Sequence, residues 1–176
     1  MLARFDQFLL VWRWPALALA ASLAMLAAAH AFERFAYLAP CPLCLRQREV
    51  YWAVVAMSVT ALLLWQLRQN QRFMMAFDVM LGLVFLTGAI VAGFHAGVEW
   101  GFWPAPSGCS GDAVDMSAID FSNLDARQAV ASCDKAPWSL LGLSMAGWNA
   151  LISLALSLIS FRAARVVFSQ RAPMPG

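Results

Sequence analysis

The sequence predicts an all-α fold: an integral membrane four-helix bundle with both termini cytoplasmic and two loops on the opposite side. Three observations predict it. Hydrophobic residues make up 62% of the 176-residue chain and charged residues only 12%, with a mean hydropathy of +0.67, a balance foreign to water-soluble domains. Four charge-free stretches, 14–32, 50–67, 79–98 and 136–161, match the ~20 apolar residues that carry a helix across a bilayer. Arginines gather where helices 1, 3 and 4 meet the cytoplasmic side under this topology. The whole chain, 1–176, reads as one membrane domain, with helices at about 14–32, 45–67, 73–96 and 138–161 and loops at about 33–44 and 97–137.

The first span opens on Arg4 and Arg13 and carries Ala29-His30-Ala31, which resembles a signal-peptidase site. Its apolar stretch is longer than the ~7–15 residues of a signal core, so it is read as a retained helix. Pro40 and Pro42 argue against helix before Cys44, which places Cys44 at the opening turn of helix 2. Arg68 and Arg72 fill a short link to helix 3. His95 falls near the outer end of helix 3, with Glu99 one turn on and expected to face water; His30 and Asp78 are expected at the interfaces. Gly88, Ala92 and Gly93, and Gly142, Ala146 and Gly147, are read as close helix contacts. Eight tryptophans lie near predicted helix ends, as interfacial belts do.

Arg4, Arg13, Arg68, Arg72, Arg162, Arg165 and Arg171 mark the cytoplasmic face. Arg34, Arg46, Arg48, Arg127 and Lys135 on the other side are spread out and offset by acids. No basic cluster points to nucleic acid, and a net charge of +2 says little about partners.

All four cysteines fall outside the spans on the non-cytoplasmic side: Cys41 and Cys44 in the first loop, Cys109 and Cys133 in the second. An even count of loop cysteines reads as a disulfide framework or a redox relay. Cys41-Pro42-Leu43-Cys44 favours the relay, because a CxxC ring is tight and reducible. Zinc is the other common use of CxxC, with His30 or His95 as further donors, but no second CxxC or close His pair completes a set, and no metal is assigned. The positive end of helix 2, with Arg46 and Arg48 nearby, favours a thiolate at Cys44. Arg48, four residues on, shares the face of Cys44; it either holds an anion or carbonyl there or snorkels to headgroups. Between Cys109 and Cys133 the chain is rich in Gly, Ser and Asp and is expected to be mobile, with a short surface helix suggested by Ala113, Met116, Ile119, Phe121, Leu124 and Val130. A disulfide closing that loop is expected to be accessible and easily exchanged.

Taken together, four spans, Pro40-Cys41-Pro42-Leu43-Cys44 with Arg48, then His95, then Cys109, and Cys133 ahead of Trp138 and Leu141-Gly142-Leu143 resemble the DsbB family over nearly the whole chain. The resemblance implies a thiol oxidase of the bacterial inner membrane with its active cysteines on the periplasmic side. Cys41 and Cys44 then form the quinone-proximal pair, and Cys109 and Cys133 the pair that meets a periplasmic thioredoxin-like protein of the DsbA type. The cofactor implied is a membrane quinone, ubiquinone or menaquinone, with Arg48 and His95 as its contacts. Gly101-Phe102-Trp103 before Pro104 and an acidic second loop depart from the family pattern. Two other readings compete: a scaffold with structural disulfides, and a quinone reductase related to vitamin K epoxide reductase.

Overall fold

The computed structural model describes residues 12–107, 109 and 132–169. Four helices dominate: α1 (Arg13–Phe35), α2 (Pro42–Arg68), α3 (Gln71–Glu99) and α4 (Met145–Ser169). Each is long and apolar enough to cross a membrane. The surface helix expected between Cys109 and Cys133, and Arg4, Arg127 and Arg171 of the charge argument, lie outside the described residues.

Local chemistry explains the helix ends. Gln69 adopts a left-handed conformation (φ 43°) that closes α2, and the Asn70 side chain accepts from the Arg72 amide at 2.8 Å to open α3. That two-residue link makes α2 and α3 antiparallel neighbours. Helix 2 begins at Pro42, not at Leu45. Proline is tolerated at the first helical position, where its missing N–H has no helical partner anyway, so the expected exclusion of helix before Cys44 does not apply.

The fourth helix also departs from expectation, starting at Met145 instead of 138. Ser139–Leu140 (β1) and Leu143–Ser144 (β2) pair antiparallel as a small hairpin, in register Ser139↔Ser144 and Leu140↔Leu143. Leu141 and Gly142 turn it with φ of 53° and 79°, the double positive φ of a tight hairpin turn. Gly142 is therefore a turn residue and not a helix contact.

Inside the bundle, Trp14, Ala18, Leu26, Tyr51, Val54, Leu81, Phe85 and Ala163 form the main core. Helices α3 and α4 pack most extensively, because α4 presents small buried residues, among them Gly147, Ser153, Ser157, Ser160 and Ala163. Ser157 donates to the Gly82 carbonyl at 2.8 Å, and Trp14 Nε1 donates to Ser160 at 3.0 Å. Gly88 serves a close approach, since a Cβ there would lie 3.0 Å from Val50, whereas Gly93 faces open space. Asp78 is not interfacial: it is fully buried, and neither carboxylate oxygen has a partner among the described residues. The outward faces carry exposed Leu23, Leu63, Ile90 and Leu158, as a lipid-facing surface requires.

Candidate functional site

The site is built on the first turn of α2. Cys41 is its N-cap, in extended conformation (φ −79°, ψ 164°), and its sulfur accepts the Cys44 amide at 3.1 Å. A cap normally filled by an oxygen is here a thiol, so the redox pair and the helix start are one motif. Cys41 is buried, Cys44 is half-buried, and both are free thiols. The Cys41 thiol is pushed well above the ordinary cysteine value, first by its hydrogen bond to the Cys44 sulfur and then by burial, so the proton shared by the pair stays on Cys41.

The second pair lies against the first. Cys109 and Cys133 form a disulfide with Cα atoms 5.1 Å apart, and the Cys133 amide donates to the Cys109 carbonyl at 2.9 Å. Cys41, Val98, Cys109 and Cys133 make one buried cluster, with Leu43, Cys44 and Ala105 packed around it. Cys109 is 3% exposed and Cys133 0%. The expected accessible loop disulfide is thus buried: the loop folds its cysteines back onto the end of the bundle, where apolar surface covers them.

At the centre, Cys41 Sγ, Cys133 Sγ and a ring nitrogen of His95 all lie within 4.8 Å of one another. Three such donors have the spacing of a metal site, but the Cys133 sulfur is spent on Cys109 and offers no thiolate. His95 Nε2 is 3.7 Å from Cys41 Sγ and 3.7 Å from Glu99 Oε1, while Nδ1 is 2.9 Å from Gln47 Nε2. Glu99 does not face water. Its side chain is 4% exposed, and Oε2 has no partner among the described residues. Four residues after His95, it shares the histidine's helix face, which is the signal that could have found it.

Beside Cys44 opens a cavity of about 300 Å³ whose wall includes Met25, Phe32, Cys44, Arg48, Trp138 and Met145. Trp138 leans on Phe32 with ring centroids 5.3 Å apart, and the hairpin holds the cavity's outer side through Trp148 Nε1, which donates to the Leu140 carbonyl at 3.1 Å. Arg48 faces this space instead of snorkelling away. Its guanidinium pairs with Glu33 at 2.6 Å and donates to the Ala29 carbonyl at 3.3 Å, tying α2 to α1. The six residues singled out by sequence thus meet at one end of the bundle. Sequence reasoning missed Glu33, Gln47 and Asn149, single polar residues on apolar helices that carry no motif.

A multi-pass helical membrane protein that packs a CxxC dithiol against a second cysteine pair at a helix tip is, as a class, a membrane thiol–disulfide protein. The family model described as "Disulfide bond formation protein DsbB" matches residues 12–163, and the chain belongs to that family. It is 30% identical over 125 residues to disulfide bond formation protein B of Nitrosomonas europaea, covering 70% of this chain and 74% of that protein. Over 167 residues it is 28% identical to disulfide bond formation protein B of Paracidovorax citrulli, covering 91% and 87%. An uncharacterized protein of Rickettsia prowazekii is 26% identical over 138 residues, 77% of each chain. No solved structure matches. The protein is a multi-pass membrane disulfide bond formation protein, and its family carries disulfide oxidoreductase activity.

Proposed function

We propose that this chain is a protein thiol:quinone oxidoreductase of the bacterial inner membrane, which reoxidises a periplasmic DsbA-type dithiol protein. The observation that carries the reading is the approach of Cys133 Sγ to Cys41 Sγ, within 4.8 Å, beside a cavity that Cys44 lines. A thiolate of the reduced partner attacks Cys109 Sγ, the Cys109–Cys133 bond breaks, and the electron pair leaves on Cys133. The Cys133 thiolate then attacks Cys41 Sγ in the oxidised first pair, forming Cys41–Cys133 and releasing Cys44 as thiolate at the cavity wall. The partner's second thiolate takes its own sulfur back from Cys109 and departs as a disulfide; the freed Cys109 thiolate attacks Cys133, which re-forms Cys109–Cys133 and releases Cys41 as a thiolate beside Cys44.

The cavity fits a quinone headgroup in size and lining: about 300 Å³, mostly apolar, with Cys44 and Arg48 at the wall. Arg48 is the residue to hold a ring carbonyl, Met25, Phe32 and Trp138 to enclose the ring. Ubiquinone or menaquinone bound there supplies the two-electron oxidant for the first pair and takes up two protons. Arg13, Arg68, Arg72, Arg162 and Arg165 sit at the bundle end opposite the cysteines, which supports cytoplasmic termini and periplasmic cysteines.

Stopped-flow mixing of the purified protein with reduced DsbA-type protein and ubiquinone, following quinone absorbance, tests the proposal. Catalytic loss of quinone is expected. Oxidation of the partner without quinone consumption, or neither, would refute it.

A further inference from the structure

A line of buried side-chain hydrogen bonds crosses the bundle and ends at the sulfur junction. Tyr51 Oη donates to Asn149 Oδ1, and Asn149 Nδ2 donates to Gln47 Oε1. Gln47 Nε2 in turn donates to His95 Nδ1 at 2.9 Å. All four side chains are buried and line the cavity beside Cys44, and the hydrogen bonds they make to one another fix which atom of each faces the next.

The direction of the line is determined by one backbone group. Gln47 Nε2 also lies 3.3 Å from the Leu43 carbonyl oxygen, which can only accept. The amide nitrogen of Gln47 must therefore be on that side, and its oxygen must face Asn149. That oxygen needs a donor, so Asn149 presents Nδ2 to it and turns Oδ1 to the Tyr51 hydroxyl. At the other end, His95 Nδ1 receives an N–H and must be unprotonated. A neutral His95 then carries its proton on Nε2, the atom that faces Cys41 Sγ and Glu99 Oε1 at 3.7 Å, with Cys133 Sγ within 4.8 Å of Cys41 Sγ.

We infer that Gln47 and Asn149, backed by Tyr51, are positioning residues that hold His95 as the Nε2–H tautomer, so that its N–H steadies the Cys133 thiolate as it attacks Cys41 or, in reverse, leaves it. The inference rests on the relay proposed above and deepens it. When Cys133 attacks, the Cys133–Cys41 bond forms, the Cys41–Cys44 bond breaks, and the electron pair goes to Cys44. In the reverse of that step Cys44 attacks Cys41 and Cys133 leaves as a thiolate at the same place. No proton is consumed in either direction, so the junction needs a neutral donor and not a base. The opposite tautomer would present a lone pair to the thiolate and repel it. With Nδ1 filled by Gln47, the Nε2–H of His95 is turned to Cys41 Sγ and Glu99 at the sulfur junction.

The chain has two histidines, which makes the test direct. In protein labelled with 15N-histidine, with His30→Gln used to assign the signals, His95 is expected to show a protonated Nε2 and a bare Nδ1. Asn149→Leu and Gln47→Leu should lose that fixed pattern. They should also slow, by about tenfold, the single-turnover transfer from reduced DsbA-type protein into the oxidised Cys41–Cys44 pair, measured without quinone by acid quench and mass spectrometry. Tyr51→Phe should slow it less, in the same sense. In a His95→Gln background, whose amide has no tautomer to hold, Asn149→Leu should cost nothing further.

A protonated Nδ1 in the unmodified protein overturns the inference, whether or not any variant folds. Unchanged transfer in Asn149→Leu does the same, as does an equal further loss in the His95→Gln background. Failure of the unmodified protein to accept electrons at all would instead refute the relay, and the histidine spectrum separates the two.

Discussion

Removing Cys44 and Cys109 together should turn the protein into a trap for its own exchange step. The double variant Cys44→Ser, Cys109→Ser leaves Cys41 and Cys133 as the remaining cysteines, with sulfurs within 4.8 Å in the native arrangement. Forming a bond of ~2.05 Å requires an approach of less than about 3 Å, which side-chain rotation can supply. A sphere of that 4.8 Å radius holds one sulfur at an effective concentration of about 4 M. Against roughly 1 mM glutathione disulfide, the internal Cys41–Cys133 bond should outrun mixed disulfides by more than about a thousandfold, or ~4 kcal/mol. The assay is brief oxidation in detergent, alkylation of remaining thiols, and peptide mass spectrometry, with Cys41→Ser added as the control. Comparable yields of glutathione adducts on Cys41 and Cys133 would show that the two sulfurs do not meet, and the relay would lose its central step.

Three further substitutions probe the surroundings. Arg48→Ala should raise the quinone concentration needed for half-maximal turnover far more than the concentration of partner. Equal effects in steady-state kinetics would remove Arg48 from the quinone site. The hydrogen bond to Cys44 is the largest cause of the raised Cys41 thiol, so Cys44→Ala should shift Cys41 ionisation to lower pH. Thiolate absorbance near 240 nm, titrated in a variant with the second pair oxidised, should move that way; an unchanged or higher midpoint would contradict the cause. Asp78→Leu should raise the thermal midpoint in detergent, because a fully buried carboxyl without a partner among the described residues costs roughly 1–3 kcal/mol. A large fall would reveal a partner for Asp78.

How much of this was legible in the sequence follows from what lipid enforces. Spans are readable because no backbone donor or acceptor can face hydrocarbon unpaired, which leaves long apolar runs as the mark of each helix. The CxxC was readable because its two-residue spacing is itself the chemistry. The same apolar signal hid the break before α4: residues 136–161 are charge-free throughout, so hydropathy does not mark the hairpin, and Gly142 reads equally well as a helix contact or a turn. Tyr51, Asn149 and Gln47 went unread because their roles depend on which faces of α2 and α4 meet. Glu99 was assigned to water by residue type alone, although its four-residue spacing from His95 already placed both on one face.

Burial of the second pair bears on how the relay is timed. With Cys109 only 3% exposed in the cluster of Cys41, Val98 and Cys133, the arrangement that brings Cys133 to Cys41 also shields Cys109 from a soluble protein's thiolate. Attack on Cys109 therefore requires the pair to move out of the cluster, and exchange requires it to return. The apolar contact to be given up is a few small side chains, on the order of 2–3 kcal/mol, which leaves the opened form at about one molecule in a hundred. Loosening the cluster should shift that balance and change the first step far more than the second. Val98→Ala removes two methyl groups from a residue 3% exposed in the middle of it, a loss of roughly 1 kcal/mol or somewhat more. The variant should form the mixed disulfide with the partner several-fold faster, while transfer to Cys41–Cys44, which uses the packed form that still holds about 95 molecules in a hundred, should be nearly unchanged. Quench-flow trapping of both species reads the two rates separately. If formation of the mixed disulfide is unchanged or slower, the buried pair is not a position that the relay leaves and re-enters.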